Sequence, residues 1–445
     1  MGASDLHLVV LAGGESTRVR TGATKVLLDL GGLPLLEHVF RAAAPGGPGS
    51  PLEAVASRTL VVGPRHREAI EAWLAASGHD AWRVVLQPEP RGTADAVARA
   101  LEGLPERDAG RVMVLYGDVP LIETATLEEL ARYPNALLSA VIGDPSGYGR
   151  IVRDDTGSLV AIVEERDADE EVREIQEVNA GIGVFEVGPL RAALARVDAD
   201  NAQGELYLTD AVVAVLQERE GVVVTLVDGV EQILGVNDLV DLAEVGALLR
   251  ERVLVGHMLA GVVVDAPETT YVECDVEIAP GARLMPFTVL RRGVRIGAGC
   301  TVGPFAHLRA GTVLEDGAEI GNFVETKNAH VGARAKAKHL TYLGDCEVGA
   351  GANVGCGTIT ANYDGRAKHR TVIGERAFVG SGTVLVAPVT VGAGATTGAG
   401  AVVLAGRDVP PGAVVAGVPA RTLRRAGDAP APEPSASRPP EPDPS

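Results

Sequence analysis

Counting in sixes from Val272 meets an aliphatic residue at every step: Val272, Ile278, Leu284, Leu290, Ile296, Val302, Leu308, Leu314 and Ile320. The count resumes at Ile373, Val379, Leu385 and Val391, skips Thr397, and continues at Val403 and Val409. Helices repeat every 3.6 residues and strands every two, so neither yields a period of six. Hexapeptides suit a parallel β-helix with three short faces per coil, one aliphatic per face pointing inward and stacking on the coil below. Gly often follows the aliphatic, as in "IGAGCT" and "VGAGAT", and small corner residues permit tight turns. The period breaks twice. At 321–330 "GNFVETKNAH" replaces a clean hexapeptide, and Val331 follows Ile320 by eleven residues; at 361–372 "ANYDGRAKHRTV" reads as a polar insertion. Both breaks are expected to be loops on the solenoid surface, where repeat scaffolds bind their ligands.

The first half alternates differently. Short apolar runs, "LHLVVLAGG", "RTLVVG", "WRVVLQ", "RVMVLYGD" and "NALLSAVI", are separated by amphipathic stretches such as "PLLEHVFRAAA" and "REAIEAWLAAS". That pattern predicts a parallel sheet with helices on both faces and ligands at the carboxyl ends of the strands. Leu239, Leu242, Leu249 and Val253 recur near helical spacing and predict a linking helix. The expected organisation is therefore an α/β domain over 1–237, a linker helix over 238–259, a β-helix over 260–425 and a disordered Pro-rich tail over 426–445.

Composition narrows the partners. A hydrophobic content of 46% with 22% charged residues is that of an ordinary soluble protein, while 55 Gly and only 3% aromatics fit the small-residue solenoid. A formal net charge of −19 lacks the basic footprint of a nucleic-acid binder. The apolar run of "MGASDLHLVV" has no basic region before it, Leu6 stands where a myristoylation site needs Ser or Thr, and no apolar run approaches a membrane span. Cys274, Cys300, Cys346 and Cys356 show no C-x-x-C spacing, so free thiols in a reducing cytoplasm are expected.

Several strand ends carry chemistry. Gly13–Gly14 with Arg18 and Lys25 offers backbone N–H groups and positive charge to phosphates, although the loop matches neither a P-loop nor G-x-G-x-x-G. Asp118, directly after the run "VMVLYG", is placed either to hold Mg²⁺ or to cap a strand end. Gln87, Gly92 and Thr93 are candidates to read a base edge. Within the solenoid, "AKHLTYLGDCEVGAGANVGCGTITANYDG" (337–365) includes His339, Tyr342, Asn353, Asn362 and Tyr363, which an inward-aliphatic repeat does not require. Taken alone, each of these also reads as surface or hydrogen-bonded filler.

The motifs "LAGGESTR…K", "LQ…GTA", "YGDVPL", "GYGR", "IVEE", "VNAGI" and "GVND" occur in one order. They resemble the sugar-nucleotide pyrophosphorylases, and the hexapeptides resemble the left-handed β-helix acyltransferases. With "HLTYLGD" and "NYDG" inside the prism, residues 6–420 resemble the bifunctional N-acetylglucosamine-1-phosphate uridyltransferase/glucosamine-1-phosphate acetyltransferase family. The resemblance implies a Rossmann-like mixed sheet followed by a left-handed prism, a cytoplasmic homotrimer, Mg²⁺, and UTP and acetyl-CoA as substrates. The product would be UDP-N-acetylglucosamine, a precursor of peptidoglycan and lipopolysaccharide. Carried over position by position, it implies Leu11, Ala12, Gly13, Gly14, Lys25, Gln87, Gly92 and Thr93 for UTP. Arg18 and Lys25 would act on the triphosphate, with Tyr116, Gly117 and Asp118 at the centre. Gly149, Glu164 and Asn179 would hold the sugar, and Asp118 with Asn237 the metal. In the prism it implies Arg309 and Lys327 for the sugar phosphate, His339 as base, and Tyr342, Asn353, Asn362 and Tyr363 lining the site. Lys327 and His339, twelve residues apart, are expected to stack near one substrate. Cys356, Ser381, Ala399 and Gly417 would contact acetyl-CoA.

The chain departs from the family at Ser16, where Gly is usual, at Ala23–Thr24, usually Leu-Pro, and at Gly417, often Arg. The last change removes a contact to CoA phosphates or shifts it to Arg421, Arg424 or Arg425. Two rivals remain at this stage. One is a pyrophosphorylase for another sugar or nucleotide with a merely trimerising prism. The other is a non-catalytic scaffold subunit, against which Arg18, Lys25 and Asp118 speak.

Overall fold

The computed structural model describes residues 6–14, 18–19, 22, 24–53, 55–104, 110–218, 221–226 and 229–424. Ser16, Ala23, Arg425 and the tail 426–445 lie outside the described residues. The chain divides into two compact units, Met1–Leu249 and Arg250–Ser445.

In the first unit, strand Leu6–Ala12 is central, flanked in parallel by Ser57–Val62 and Arg111–Tyr116, with Trp82–Leu86 beyond the former. On the other side the order runs Glu177–Glu186, Ala136–Val141, Val222–Leu226. Glu177–Glu186 is antiparallel to both of its neighbours, so the sheet is mixed. The parallel sheet predicted from the alternation of runs is thus corrected to the mixed sheet that the resemblance implies. Its cause is the antiparallel ribbon Arg150–Arg153/Leu159–Val163, which turns the chain back before it re-enters the sheet. Alternation along the central strand sends Leu6, Leu8 and Val10 to one core with Leu36, Val39 and Ile70, and Val9 and Leu11 to the other with Val97, Leu101 and Val212. Both faces are therefore covered by helices, and only the strand ends open to solvent.

In the second unit the two-residue strands pair at 18-residue intervals, three faces to a coil. One inward column is Ile278, Ile296, Leu314, Val331, Val348, Ile373, Val391 and Val409. The first irregularity is not the expected loop. Residues 321–330 lie within one continuous strand, Glu319–Val331, paired in parallel with Lys336–Val348. Dropping one residue per coil here keeps the backbone ladder intact, and Phe323, Asn328, Leu340 and Asp345 take positive φ at the bends. Thr326 replaces the aliphatic, and its buried hydroxyl bonds Thr312 Oγ1 at 2.9 Å. The second irregularity is a true insertion: Val348 pairs with Ile373, 25 residues on, and the excess forms a polar loop.

The predicted helix is present as Leu239–Leu259, but its buried positions are Val245, Leu249 and Leu254, while Leu239 is 47% exposed. Among the described residues no helix is long and apolar enough to cross a membrane. The four cysteines are free thiols.

Candidate active sites

At the carboxyl ends of the parallel strands lies a cavity of about 480 Å³. Its lining includes Leu11, Ala12, Gly13, Gly14, Lys25, Gln87, Gly92, Thr93, Tyr116 and Asp118, residues scattered over more than a hundred positions that the sheet order brings together. Gln87 is buried, and its amide donates to Gly92 O and Asp95 Oδ2, both at 3.0 Å, so its other face is fixed toward Gly13. Gly92 has φ +111°, and a Cβ there would lie 2.4 Å from Leu206 O, so no other residue fits this turn. Gly117 is not on the cavity wall; its N–H donates to Leu11 O at 2.9 Å and ties the two strand ends together.

Asp118 receives Lys25 Nζ at 2.5 Å, both side chains being partly buried. Val236 N–H donates to Asp118 O at 2.8 Å, which sets Asn237 beside Asp118, and Arg18 Nη2 donates to Asn237 Oδ1 at 3.1 Å. Asp241 Oδ2 in turn accepts Asn237 N–H at 2.7 Å. The Asp118 carboxylate and the Asn237 amide oxygen thus each accept from a cation, Lys25 and Arg18 respectively. This all-oxygen, two-ligand set suits Mg²⁺, which completes its shell with water and phosphate oxygens.

A second cavity of about 200 Å³ shares Thr93, Tyr116 and Glu205 with the first and adds Glu164 and Asn179. Burial pushes the Glu164 carboxyl above the usual carboxylate range; the Thr209 hydroxyl bond opposes this, and Asp167 and Asp210 add to it. Burial likewise raises the Tyr116 phenol, helped by Glu164 and Asp118. Gly149 stands at the rim, where a Cβ would meet both Glu164 carboxylate oxygens at 3.4 Å. Gln203, Tyr207 and Thr209 also line this cavity and escaped the sequence reading. Their only signal was the polar stretch "NAQGELYLTD" ahead of a helical pattern.

The solenoid residues form two groups. Register places Leu308 beside Thr326 and Lys327 beside Gly344, so Arg309 and Lys327 stand one coil apart in one column. Arg309 Nη1 donates to Glu325 Oε1 at 2.9 Å. Asn328 and Asn362 both donate to Asp345, at 2.8 and 2.5 Å. From the polar loop Lys368 bridges to Tyr363 and approaches Lys327, whose ammonium is held below its ordinary pKa chiefly by that second cation. Arg309 and Lys368 thus both act on Lys327, and the Asp345 carboxylate beside them is bonded by buried Asn362. Lys368 was missed because nothing marks one Lys in a polar insertion.

The second group follows an edge. Register pairs Asn322 with His339, Ala337 with Val354, then Val379, Thr397 and Val415. His339, Cys356, Ser381, Ala399 and Gly417 consequently descend one corner, all exposed, about 4.8 Å per coil. Lys327 and His339 do not stack as expected: a coil holds 17 or 18 residues, so twelve residues cover two faces rather than one turn. They occupy different columns, with Tyr342 between them, beside Glu325. Asn353 lies next to Lys336, one residue before inward Val354, on the face preceding the corner.

A two-cavity strand-end site of this kind, followed by a hexapeptide prism with its own polar constellation, defines a nucleotidyltransferase joined to a hexapeptide transferase. Residues 8–173 match the MobA-like NTP transferase domain, and residues 293–328 and 370–405 match the bacterial transferase hexapeptide of six repeats. Curated relatives extend over nearly the whole chain. The bifunctional protein GlmU of Rubrobacter xylanophilus is 42% identical over 95% of this chain and 95% of its own. That of Mycolicibacterium gilvum is 42% identical over 94% and 91%, and that of Brevibacillus brevis 39% identical over 87% and 90%. The chain belongs to the family of bifunctional GlmU proteins.

Proposed function

We propose that the two activities of this bifunctional enzyme of UDP-N-acetylglucosamine synthesis divide between the two units. The prism acetylates glucosamine-1-phosphate with acetyl-CoA, and the strand-end site then transfers UMP from UTP to N-acetylglucosamine-1-phosphate, releasing pyrophosphate. The observation that supports the reading is that the strand-end cavities and the prism each gather polar residues that the apolar runs and the hexapeptide repeat do not call for.

In the first step the 2-amino group attacks the thioester carbonyl, the C–S bond breaks, and CoA leaves as the thiol. The attacking nitrogen must lose a proton, and His339, exposed one coil above Cys356, takes it in this reading. Arg309, Lys327 and Lys368 hold the sugar phosphate, with Tyr342, Asn353, Asn362 and Tyr363 about the sugar. The corner below His339 receives the extended CoA along Cys356, Ser381, Ala399 and Gly417.

In the second step a phosphate oxygen of the sugar attacks the α-phosphorus of UTP, and the bond to the β-phosphate oxygen breaks. Two anions must meet, and Arg18 and Lys25 offset their repulsion. Asp118 and Asn237 would hold Mg²⁺, which supplies charge neutralisation for the phosphates and leaving group. Gln87, Gly92 and Thr93 orient the nucleotide, and Gly149, Glu164 and Asn179 the N-acetylated sugar, so catalysis is positioning plus electrostatics.

The assembly we assign is a cytoplasmic homotrimer acting on small molecules. Phe287, Phe305 and Phe323 stack in a column at 4.7 and 5.1 Å between ring centroids, and Leu340 extends it. All four are at least 45% exposed in the single chain, an apolar strip that association would cover.

The test is product formation from glucosamine-1-phosphate, acetyl-CoA and UTP together. UDP-N-acetylglucosamine is the expected product. Uridylylation of supplied N-acetylglucosamine-1-phosphate without acetylation would leave the prism structural, and neither reaction would make the chain a scaffold.

A further inference from the structure

Among the described residues Arg150 is the largest fully buried side chain, 1% exposed, yet it lines neither cavity. Burying a guanidinium is costly unless its donors are matched. Nη1 donates to Tyr148 O; Nη2 donates to Glu165 Oε2 at 2.7 Å and more weakly to Arg173 O at 3.4 Å; Nε is left without a partner. Glu165 Oε2 also accepts Gly147 N–H at 3.2 Å, and the Arg150 bond holds the Glu165 carboxyl below its usual range. The clamp therefore closes the segment 147–150 onto 164–165 from behind.

What lies in front of the clamp is the sugar cavity. Gly149 precedes Arg150, and its carbonyl accepts Asn179 N–H at 2.8 Å. Glu164 precedes Glu165, and its Oε1 accepts the Thr209 hydroxyl at 3.2 Å. Arg150 itself pairs in register with Val163 and Val178, the neighbours of Glu164 and Asn179. One guanidinium thus sets the separation of Gly149, Glu164 and Asn179 without touching any of them by its own side chain. We infer that Arg150 is a positioning residue for the sugar subsite, acting through Gly149, Glu164 and Asn179. This rests on the assignment of that cavity to the N-acetylated sugar made under Proposed function.

Arg150→Lys keeps the charge but loses the planar fork whose two Nη atoms separately reach Tyr148 O and Glu165. It is expected to raise KM for N-acetylglucosamine-1-phosphate about tenfold, the usual worth of a charged hydrogen bond. KM for UTP should stay within about twofold, since neither Arg150 nor Glu165 lines the nucleotide cavity. Acetyl transfer should be unchanged. Glu165→Gln, at a side chain 35% exposed, should shift the same KM in the same direction by less, and decides the matter if the buried substitution prevents folding. Equal rises in both KM values, or a fall in kcat alone that tracks the folded fraction by circular dichroism, would make Arg150 merely structural and overturn the inference. A wild-type protein that does not uridylylate N-acetylglucosamine-1-phosphate overturns the cavity assignment itself, and is seen before any variant is made.

Discussion

The two units solve the problem of gathering polar residues in opposite ways. The first draws single residues from many strand ends, Gly13, Gln87, Asp118 and Asn179 among them, into enclosed cavities between sheet and helices. The prism distributes its residues along columns, each coil adding one step. The first arrangement depends on long-range packing and desolvates its groups, which is why Glu164 and Tyr116 are shifted by burial. The second is local, open and repetitive, so a long ligand fits it and one coil can be altered without disturbing the next.

That contrast is broken first at Asp118. Asp118→Ala should abolish uridylyl transfer, a loss of about three orders of magnitude or more, because it removes the proposed metal ligand and takes a carboxylate away from Lys25 in a partly buried site. Acetyl transfer by the prism should stay near wild type in a steady-state thiol-release assay. Retained uridylylation with Mg²⁺ would make Asp118 a strand-end cap.

The reciprocal substitution, His339→Ala, should lower acetyl transfer by roughly two to four orders of magnitude, the worth of a positioned base. Uridylylation of supplied N-acetylglucosamine-1-phosphate should stay near wild type, because its residues lie in the other unit. An unchanged acetyl-transfer rate would make His339 filler.

Light scattering sharpens the picture of the open site. A trimer is expected, with the phenylalanine column covered; a monomer at working concentration would contradict the assembly.

The smallest effect concerns the thiols. Burial pushes the Cys346 thiol up to about 12 and raises Cys300, whereas Cys356 is exposed on the corner below His339. Iodoacetamide should alkylate Cys356 and spare Cys346, and acetyl-CoA should slow labelling of Cys356 several-fold. Labelling of Cys356 indifferent to acetyl-CoA would remove the corner from the CoA path.

Legibility in the sequence follows the same contrast. Period six states the solenoid outright, because a repeat writes its inward contacts at fixed intervals. It misleads only where the coil shortens: Lys327 and His339 look stackable until the coil is counted at 17 residues. In the α/β unit the strands are legible as apolar runs, but not the reversed direction of Glu177–Glu186, which depends on how the ribbon before it folds back. Cavity walls from one segment, such as Leu11–Gly14, could be read directly. Gln203, Tyr207 and Thr209 could not, since only tertiary packing carries that segment over Thr93 and Tyr116. Arg150 sits in the motif "GYGR", yet its role as a clamp depends on Glu165 and Tyr148 O and has no sequence signature.

The central claim is that one chain carries two separate sites acting in series. Complementation in trans tests it most directly. Asp118→Ala and His339→Ala proteins, each given glucosamine-1-phosphate, acetyl-CoA and UTP, should form almost no UDP-N-acetylglucosamine. The former should accumulate N-acetylglucosamine-1-phosphate and the latter should consume neither acetyl-CoA nor UTP. Mixed, they should restore product at a rate within a few-fold of wild type, because the acetylated intermediate made by one is the substrate of the other. Absence of product in the mixture, with both variants folded, would contradict two independent sites.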